Sequence, residues 1–134
     1  MALVVVNNGE SIALQYLTNK IATPENLRYK LFATNVTPAE TDTAGTYTEA
    51  TGGGYADKLL TGASWTVSGT APTQIAYAQQ DYTFTGVLTT NTTLYGYFVT
   101  RTTAADLILA ETFTSFVPTN NGDKVLLTPQ ITAD

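Results

Sequence analysis

Residues 27–32, Leu-Arg-Tyr-Lys-Leu-Phe, decide the fold class of this chain. Apolar residues at 27, 29 and 31 alternate with Arg28, Lys30 and Phe32, and this period of two predicts a β-strand with one face in water. The composition agrees with this prediction, since Thr fills 27 of the 134 positions. Thr, Tyr and Val are the residues that half-buried sheet surfaces prefer. The chain is therefore expected to be mainly β.

Further strands are predicted downstream, separated by turn residues at intervals of about ten residues. Their ranges are 55–60, 64–68, 74–85, 93–100, 106–113 and 124–128. Asn121-Gly122 is the sharpest hairpin signal between them. This spacing predicts two packed antiparallel sheets, a jelly-roll-like sandwich, in a single domain over residues 1–134.

Upstream of residue 27 the period is helical. Apolar and long side chains recur at spacings of three and four, at Ile12, Ala13, Tyr16, Leu17, Lys20 and Ile21. Asn8 is the expected N-cap, and Thr23-Pro24 is the expected end of the helix. We expect this to be the only substantial helix.

The residues before this helix form a possible N-terminal arm, 1–7. Residues 2–6, Ala-Leu-Val-Val-Val, are β-branched enough to predict a short strand. Such a strand pairs either inside its own sheet or with the sheet of a neighbouring molecule. The sequence leaves both alternatives open.

The chain contains no His and no Cys. It therefore lacks the imidazole and the thiolate that many catalytic sites use as a base or a nucleophile. Paired carboxylates are a further option, and Asp57, Asp81 and Glu111 fall inside predicted strands. Glu111 is interpreted as a buried acid with a raised pKa or as an edge residue beside Arg101. No second acid is placed near it, so no catalytic residue, cofactor or metal site is assigned, and the chain is predicted not to be an enzyme.

The charge and hydropathy of the chain indicate which classes of partner are not expected. The net charge is −5 and the six Lys and Arg residues are scattered, which argues against nucleic acid. The apolar run at 2–6 is far shorter than the roughly 20 residues that span a bilayer, so no membrane partner is expected. Oxygen-bearing residues at 41–43 and 120–123 lack the spacing of an EF-hand.

Gly52, Gly53 and Gly54 form the most conspicuous short motif. The triplet lacks the Lys and Ser/Thr of a phosphate-binding loop, so a tight bend or bulge is the expected role. Tyr47 and Tyr55 flank it and are predicted to be exposed contact residues. Sugar stacking is an alternative use for such rings, although core or interface packing is commoner.

Several segments of the chain resemble a group of small virion proteins encoded in tailed-bacteriophage genomes, most closely the head decoration, or cement, proteins. The segments are Thr-Tyr-Thr-Glu-Ala-Thr-Gly-Gly-Gly-Tyr-Ala-Asp-Lys at 46–58, Ala-Thr-Pro-Glu-Asn-Leu at 22–27, Trp-Thr-Val at 65–67, Ala-Tyr-Ala-Gln-Gln at 76–80 leading to Phe-Thr-Gly at 84–86, and Tyr-Gly-Tyr-Phe-Val at 95–99. Together they extend over nearly the whole chain.

The resemblance implies a non-enzymatic structural protein on the capsid surface of the virion, synthesised in the cytoplasm of the bacterial host. Its implied partners are the major capsid protein and further copies of itself, with a trimer favoured. The contacts are expected on Leu3, Val4, Val5 and the loop 34–54, including Tyr47 and the glycine triplet, and on Tyr55. Removing residues 1–7 is expected to abolish capsid binding and to leave the fold intact.

Two other virion roles remain open. One is a tail-associated adhesin or carbohydrate-binding module, and the other is a head–tail joining or tail-tube component that assembles as a ring. Small β domains serve all of these uses, so the predicted fold does not separate them.

Overall fold

The structure is a computed structural model that describes residues 3–70 and 72–133. Within this range it contains one α-helix, ten strands and two short 3₁₀ turns, Ala44–Thr46 and Gly62–Ser64. The helix is α1 (Asn7–Leu17), and the strands are β1 (Val4–Val5), β2 (Leu27–Phe32), β3 (Lys58–Leu60), β4 (Thr66–Ser68), β5 (Thr73–Ala76), β6 (Gln80–Thr83), β7 (Leu94–Arg101), β8 (Leu107–Phe116), β9 (Lys124–Leu127) and β10 (Gln130–Ala133). Every pairing of these strands is antiparallel. The prediction of a mainly β chain with antiparallel sheets and one short helix is confirmed.

The largest sheet has five strands in the order β1-β8-β7-β2-β3. At its centre, β7 pairs with β2 from Leu27↔Arg101 to Phe32↔Gly96. The strand predicted at 27–32 is therefore confirmed, but its expected wet face is not, because Phe32 is fully buried.

Two apolar clusters explain why both faces of this sheet are covered. Tyr29 and Leu31 belong to the first cluster, which also contains Tyr82 of β6 and Val125 of β9. Phe32 points to the opposite face and belongs to the second cluster. Its other buried members are Val6, Tyr47, Phe98, Leu107 and Ala110. The loop after β2 and the N-terminal arm therefore cover Phe32 on the face that the sequence predicted to be wet, whereas Arg28 and Lys30 are only half-buried.

The smaller sheets have the orders β10-β5-β4 and β6-β9. Pairing runs from Thr83↔Lys124 to Gln80↔Leu127 and resumes at Ala76↔Gln130. Three residues, 77–79, thus face two, 128–129, which is the count of a β-bulge. The predicted strand 74–85 is two strands interrupted by this bulge, and β10 was not predicted.

The bulge changes which positions point inward. At the start of the bulge, the odd-numbered Tyr77 packs against the first cluster. After the bulge, the even-numbered Tyr82 and Phe84 are buried members of that cluster. Odd-numbered and even-numbered residues therefore reach the same core, because the extra residue reverses the alternation.

Helix α1 begins one residue after Val6, its N-cap, and not after Asn8 as predicted. It ends before the predicted Pro24, because Asn19 adopts a left-handed conformation with φ 56°. The Asn19 N–H donates to the Tyr16 carbonyl (3.1 Å), and the Lys20 N–H donates to the Gln15 carbonyl (2.8 Å). This pair of bonds is a Schellman C-cap, which satisfies carbonyls at the helix end.

The N-terminal arm pairs inside its own sheet. Val4 and Val5 lie opposite Ala110 and Leu109 at the sheet edge, while Met1 and Ala2 lie outside the described residues. Val6 is fully buried, and its N–H donates to the Ile108 carbonyl (3.1 Å). Removing residues 1–7 would take away this core residue, so the structure argues against the expectation that the truncation leaves the fold intact.

Candidate interaction surface

The glycine triplet forms a tight bend, as predicted. Gly52, Gly53 and Gly54 have φ values of 78°, 56° and 77°, which ordinary residues rarely adopt. A Cβ on Gly52 would lie 2.7 Å from the Thr89 nitrogen, and one on Gly53 would lie 2.6 Å from the Gly86 carbonyl oxygen. The triplet therefore packs on the loop 85–89 of its own chain. A partner contact at the triplet stays a prediction.

Tyr47 is not the exposed contact residue that the sequence predicted. Its side chain is 5% exposed, and its ring stacks on Phe98 with the centroids 5.4 Å apart. Its hydroxyl donates to the Asp42 carboxylate (2.7 Å). Burial, together with that carboxylate, raises the pKa of Tyr47 above its usual range.

Tyr55 is half-buried and has a structural role. Its ring stacks on Tyr82 with the centroids 6.0 Å apart. Its hydroxyl donates to Glu49 Oε1 (3.0 Å) and accepts from the Leu31 N–H (3.1 Å). Burial raises the pKa of Tyr55 well above its usual range. The hydroxyl links β2 to the loop before the triplet, so its polar end is already engaged.

The candidate acids are all engaged within the chain. Glu111 accepts a hydrogen bond from the Tyr97 hydroxyl. The alternative of an edge position beside Arg101 is wrong, because Glu111 lies opposite Tyr97, four residues before Arg101 on β7. Arg101 instead pairs with Glu25 (3.3 Å) and Asp106. Among residues 3–70 and 72–133, no three acids come close enough together to hold a metal ion.

The other two acids predicted inside strands, Asp57 just before β3 and Asp81 in β6, are likewise engaged in ion pairs. Asp57 lies 3.5 Å from Arg28, and Asp81 lies 2.8 Å from Lys124. The hydrogen bond from Lys124 is the main reason why the pKa of Asp81 is held below its usual range. These acids support pairing between neighbouring segments and do not face a common cleft.

The most conspicuous unsatisfied surface lies on α1. Leu14 is 62% exposed and Leu17 is 82% exposed, three residues apart on the same helix. Only Gly9 and Ile12 of this helix are buried. The other exposed large apolar residues of the described chain each lie on a different element or loop, at Leu59, Val67, Val87, Val117 and Leu126. Isolated exposed apolar residues are ordinary, whereas a contiguous patch is typical of an interaction site.

Leu14 and Leu17 belong to an apolar groove of about 560 Å³. Its walls are α1, the arm and the strands β8 and β10, and we call it the α1 groove. It is lined by Val5, Gly9, Glu10, Ala13, Leu14, Leu17, Ile108, Leu109 and Ile131. Among the described residues that line it, Glu10 is the only charged one.

Close packing of helix on sheet forms the floor of the α1 groove. A Cβ on Gly9 would overlap the Ile108 carbonyl oxygen, so only glycine lets α1 approach β8 this closely. The helix therefore sits low on the sheet edge and directs its next turns, with Ala13 and Leu17, along the groove. Full burial of a Leu side chain contributes about 1.5–3 kcal/mol, so a partner covering Leu14 and Leu17 gains a sizeable apolar contribution.

Of the predicted contact residues, the structure brings only Val5 into the α1 groove. Leu3 and Val5 also pack against the first cluster, and Val4 lies at the sheet edge. The helical period places Leu17 on the apolar stripe, but it does not predict that Leu17 stays exposed. Leu14 lies outside that stripe and widens the apolar face of the helix, and this was the feature of the sequence that could have indicated an exposed apolar surface.

No helix of the described chain has the length and apolar character needed to cross a membrane. In comparisons with known proteins, no family model, no curated protein and no solved structure matches this chain.

Proposed function

We propose that this chain is a non-enzymatic structural protein of a bacteriophage virion, a capsid decoration protein that binds the outside of the major capsid shell and stabilises it. The observation that carries the proposal is the α1 groove with Leu14 and Leu17 exposed beside it. The resemblance of segments such as 46–58 and 95–99 to phage decoration proteins supplies the identity of the partner.

The α1 groove is the proposed attachment surface. A capsid segment with apolar side chains covers Leu14 and Leu17, and the two-residue strand β1 lies at the same edge of the five-stranded sheet. An exposed strand edge accepts a further strand through main-chain hydrogen bonds. Apolar burial and strand addition therefore act together at one place on the molecule.

The shell is stabilised because the same interface is repeated many times on one particle. A standard interface buries about 800 Å² on each partner, and many identical copies add their contributions over one particle. Self-association into a trimer, which the resemblance favours, raises the effective concentration of each further contact. A single weak contact then becomes a persistent one.

The two-layer sandwich is a further part of this proposal. The five-stranded sheet is one layer, and β6-β9 with β10-β5-β4 form the other, because both smaller sheets contribute side chains that pack in the first cluster. The jelly-roll-like arrangement stays a prediction. A rigid scaffold of this kind holds the α1 groove in a fixed orientation toward the shell.

The experiment compares the wild type with Leu17→Ser and with the matched control Leu126→Ser. Leu126 is 51% exposed on β9 and does not line the groove. Each protein is mixed with undecorated capsids and sedimented, and its mass in solution is measured by light scattering. We expect wild type and Leu126→Ser to co-sediment and Leu17→Ser to remain in the supernatant.

A wild-type protein that is monomeric and does not sediment with capsids contradicts the proposal. Equal co-sedimentation of Leu17→Ser and Leu126→Ser removes the α1 groove from it and leaves the decoration role to another surface. Thermal unfolding of all three proteins shows whether each variant is folded.

A further inference from the structure

A second groove, of about 340 Å³, lies where the loop after β2 meets the β7–β8 pair. Its described lining residues are uncharged and include two aromatic residues, Tyr95 and Phe113, together with the polar residues Asn35, Thr37 and Ser115. We call it the Tyr95 groove. Its size lies at the lower end of the range of small-molecule sites.

The two rings are held in place by the core. Tyr95 is half-buried and packs against the second cluster, while Phe113 is half-buried and packs against the first. Because the two clusters lie on opposite faces of the five-stranded sheet, Tyr95 alone is assigned as the stacking ring of the groove. A ligand that stacks on Tyr95 does not have to order a mobile side chain, which lowers the entropic cost of binding.

The backbone at Tyr95 is irregular. Leu94 pairs with Phe116 and Gly96 pairs with Thr112, so a single residue of β7 faces three residues of β8. Irregularities of this kind redirect a side chain and are over-represented beside functional sites. Here the irregularity places Tyr95 and Ser115 on the same groove.

The polar atoms of the Tyr95 groove are available. Asn35, Thr37 and Ser115 are exposed, and within the described residues their side chains and the Tyr95 hydroxyl form no hydrogen bond. The Tyr29 hydroxyl also lacks a partner among the described residues, but it is fully buried. The remaining tyrosine hydroxyls are engaged: Tyr16 with the Glu25 N–H, Tyr47 with Asp42, Tyr55 with Glu49, Tyr77 with Thr61, Tyr82 with the Tyr29 carbonyl and Tyr97 with Glu111. Tyr95 is thus a half-buried tyrosine whose hydroxyl is open to a ligand.

We propose that the Tyr95 groove binds a neutral saccharide. A pyranose ring has an apolar face of C–H groups that packs on an aromatic ring, and its hydroxyls donate to and accept from amide and hydroxyl groups. The lining offers both kinds of contact and no charge to pair with an acidic or basic ligand. The net charge of −5 further disfavours anionic sugars.

A pair of half-buried rings elsewhere, Trp65 and Tyr77, fits this chemistry less well. Trp65 and Tyr77 pack edge to face with their centroids 5.3 Å apart. The Tyr77 hydroxyl also accepts from the Thr61 N–H (3.2 Å). Their contact surfaces and polar atom are used within the chain.

The test is a titration of isotope-labelled protein with maltotriose, cellotriose and lactose at millimolar concentrations, followed through the backbone amide resonances. Sialyllactose, which adds a carboxylate to lactose, is the anionic control. We expect at least one neutral sugar to shift residues 35–37, 95 and 112–115 in a saturable way, and sialyllactose to bind more weakly than lactose.

Three variants locate the contacts. Asn35→Ala and Tyr95→Phe each remove one hydrogen-bonding group and are expected to weaken binding roughly two- to tenfold. Tyr95→Ala also removes the ring and is expected to weaken it by about tenfold or more. Asn8→Ala, at an exposed asparagine on α1 that does not line the Tyr95 groove, is the matched control and is expected to bind like wild type.

Because Tyr95→Ala removes packing in the second cluster, Asn35→Ala and Tyr95→Phe keep the proposal testable if that variant does not fold. The proposal is overturned if no neutral sugar shifts the Tyr95 groove, if the shifts lie around Trp65 and Tyr77, or if sialyllactose binds more tightly than lactose. It is also overturned if an extended peptide, and no sugar, saturates the groove. Each of these outcomes is independent of whether the chain binds capsids.

Discussion

The central strands of the five-stranded sheet and the strands of the three-stranded sheet use similar residues and bury them very differently. In β7 six of eight residues are buried, whereas all three residues of β4 are exposed. The strand β5 beside β4 has no fully buried residue. The difference comes from what lies outside each sheet: the N-terminal arm and the loop after β2 cover part of the outer face of the first, because Val6 and Tyr47 pack with Phe32 and Phe98.

This contrast shows that strand composition alone does not decide burial in a Thr-rich chain. Val99 is 3% exposed in β7, and Val67 is 65% exposed in β4. The stabilising contacts are therefore concentrated in the five-stranded sheet, and substitutions of the same type should have very different effects in the two sheets.

The largest difference is expected for truncation of a core ring. Phe32→Ala removes a fully buried side chain whose ring centroid lies 4.9 Å from that of Tyr47. We expect the free energy of unfolding to fall by about 3–5 kcal/mol. Val67→Ala in β4 should change it by less than about 0.5 kcal/mol. Urea denaturation measures both. Similar losses for the two variants would show that Val67 is more buried than the structure indicates.

A smaller difference is expected for the addition of one methyl group. A Cβ on Gly96 of β7 would lie 2.5 Å from Cζ of Phe32 and would overlap the Glu111 carbonyl oxygen, whereas a Cβ on Gly62, just before β4, would meet nothing within 4 Å. We expect Gly96→Ala to lower the free energy of unfolding by about 1–3 kcal/mol. Gly62→Ala is the matched control and should be close to neutral. Equal stability of the two variants would contradict the close packing of β7 on β2 and β8.

The smallest effect is expected from one acid in the turn that joins β8 to β9. Asp123 accepts hydrogen bonds from the Asn120 N–H (2.9 Å) and the Thr119 N–H (2.8 Å), and these hold the pKa of its carboxyl below its usual range. Because the folded-state pKa is lowered, the charged form stabilises the fold above the unfolded-state pKa of about 4. This stabilisation is lost as the pH falls through the folded-state pKa.

Asp123→Asn should therefore lower the Tm at neutral pH and flatten the decline of the Tm below about pH 4. Thermal unfolding over a pH series measures both effects, with Glu40→Gln, the same loss of charge at an exposed acid, as the control. If the two variants lose stability in parallel as the solution is acidified, Asp123 does not contribute in this way.

The residue period predicted several elements and failed where tertiary packing or backbone irregularity intervened. The alternation at 27–32 predicted β2 correctly, but it could not show that Phe32 is covered, because Tyr47 lies fifteen residues further on in a loop without any period. Pro24 was an obvious helix stop, yet Asn19 ends α1 earlier through its left-handed conformation. Asparagine adopts that conformation only in some contexts, so the sequence gives a weak signal for it.

The candidate sites were harder to predict than the strands. The α1 groove combines Val5, Leu17, Ile108 and Ile131, which are far apart in the sequence and include a strand, β10, that was not predicted. The Tyr95 groove depends on an irregular pairing that leaves no mark on the alternation of residues. Tyr47 and Tyr55 were chosen for their place beside the glycine triplet, and their burial follows from contacts that no local pattern reveals.

The bulge at 77–79 has a consequence for how the chain tolerates changes in length. Because the extra residue reverses the alternation, losing one residue there would move Tyr77 from the core side to the solvent side, or force Tyr82 and Phe84 to make the same exchange. A deletion in this short stretch would thus exchange the core and solvent faces of a whole strand. Packing of the core therefore requires the length of this segment to be kept, just as it requires apolar residues at the buried positions.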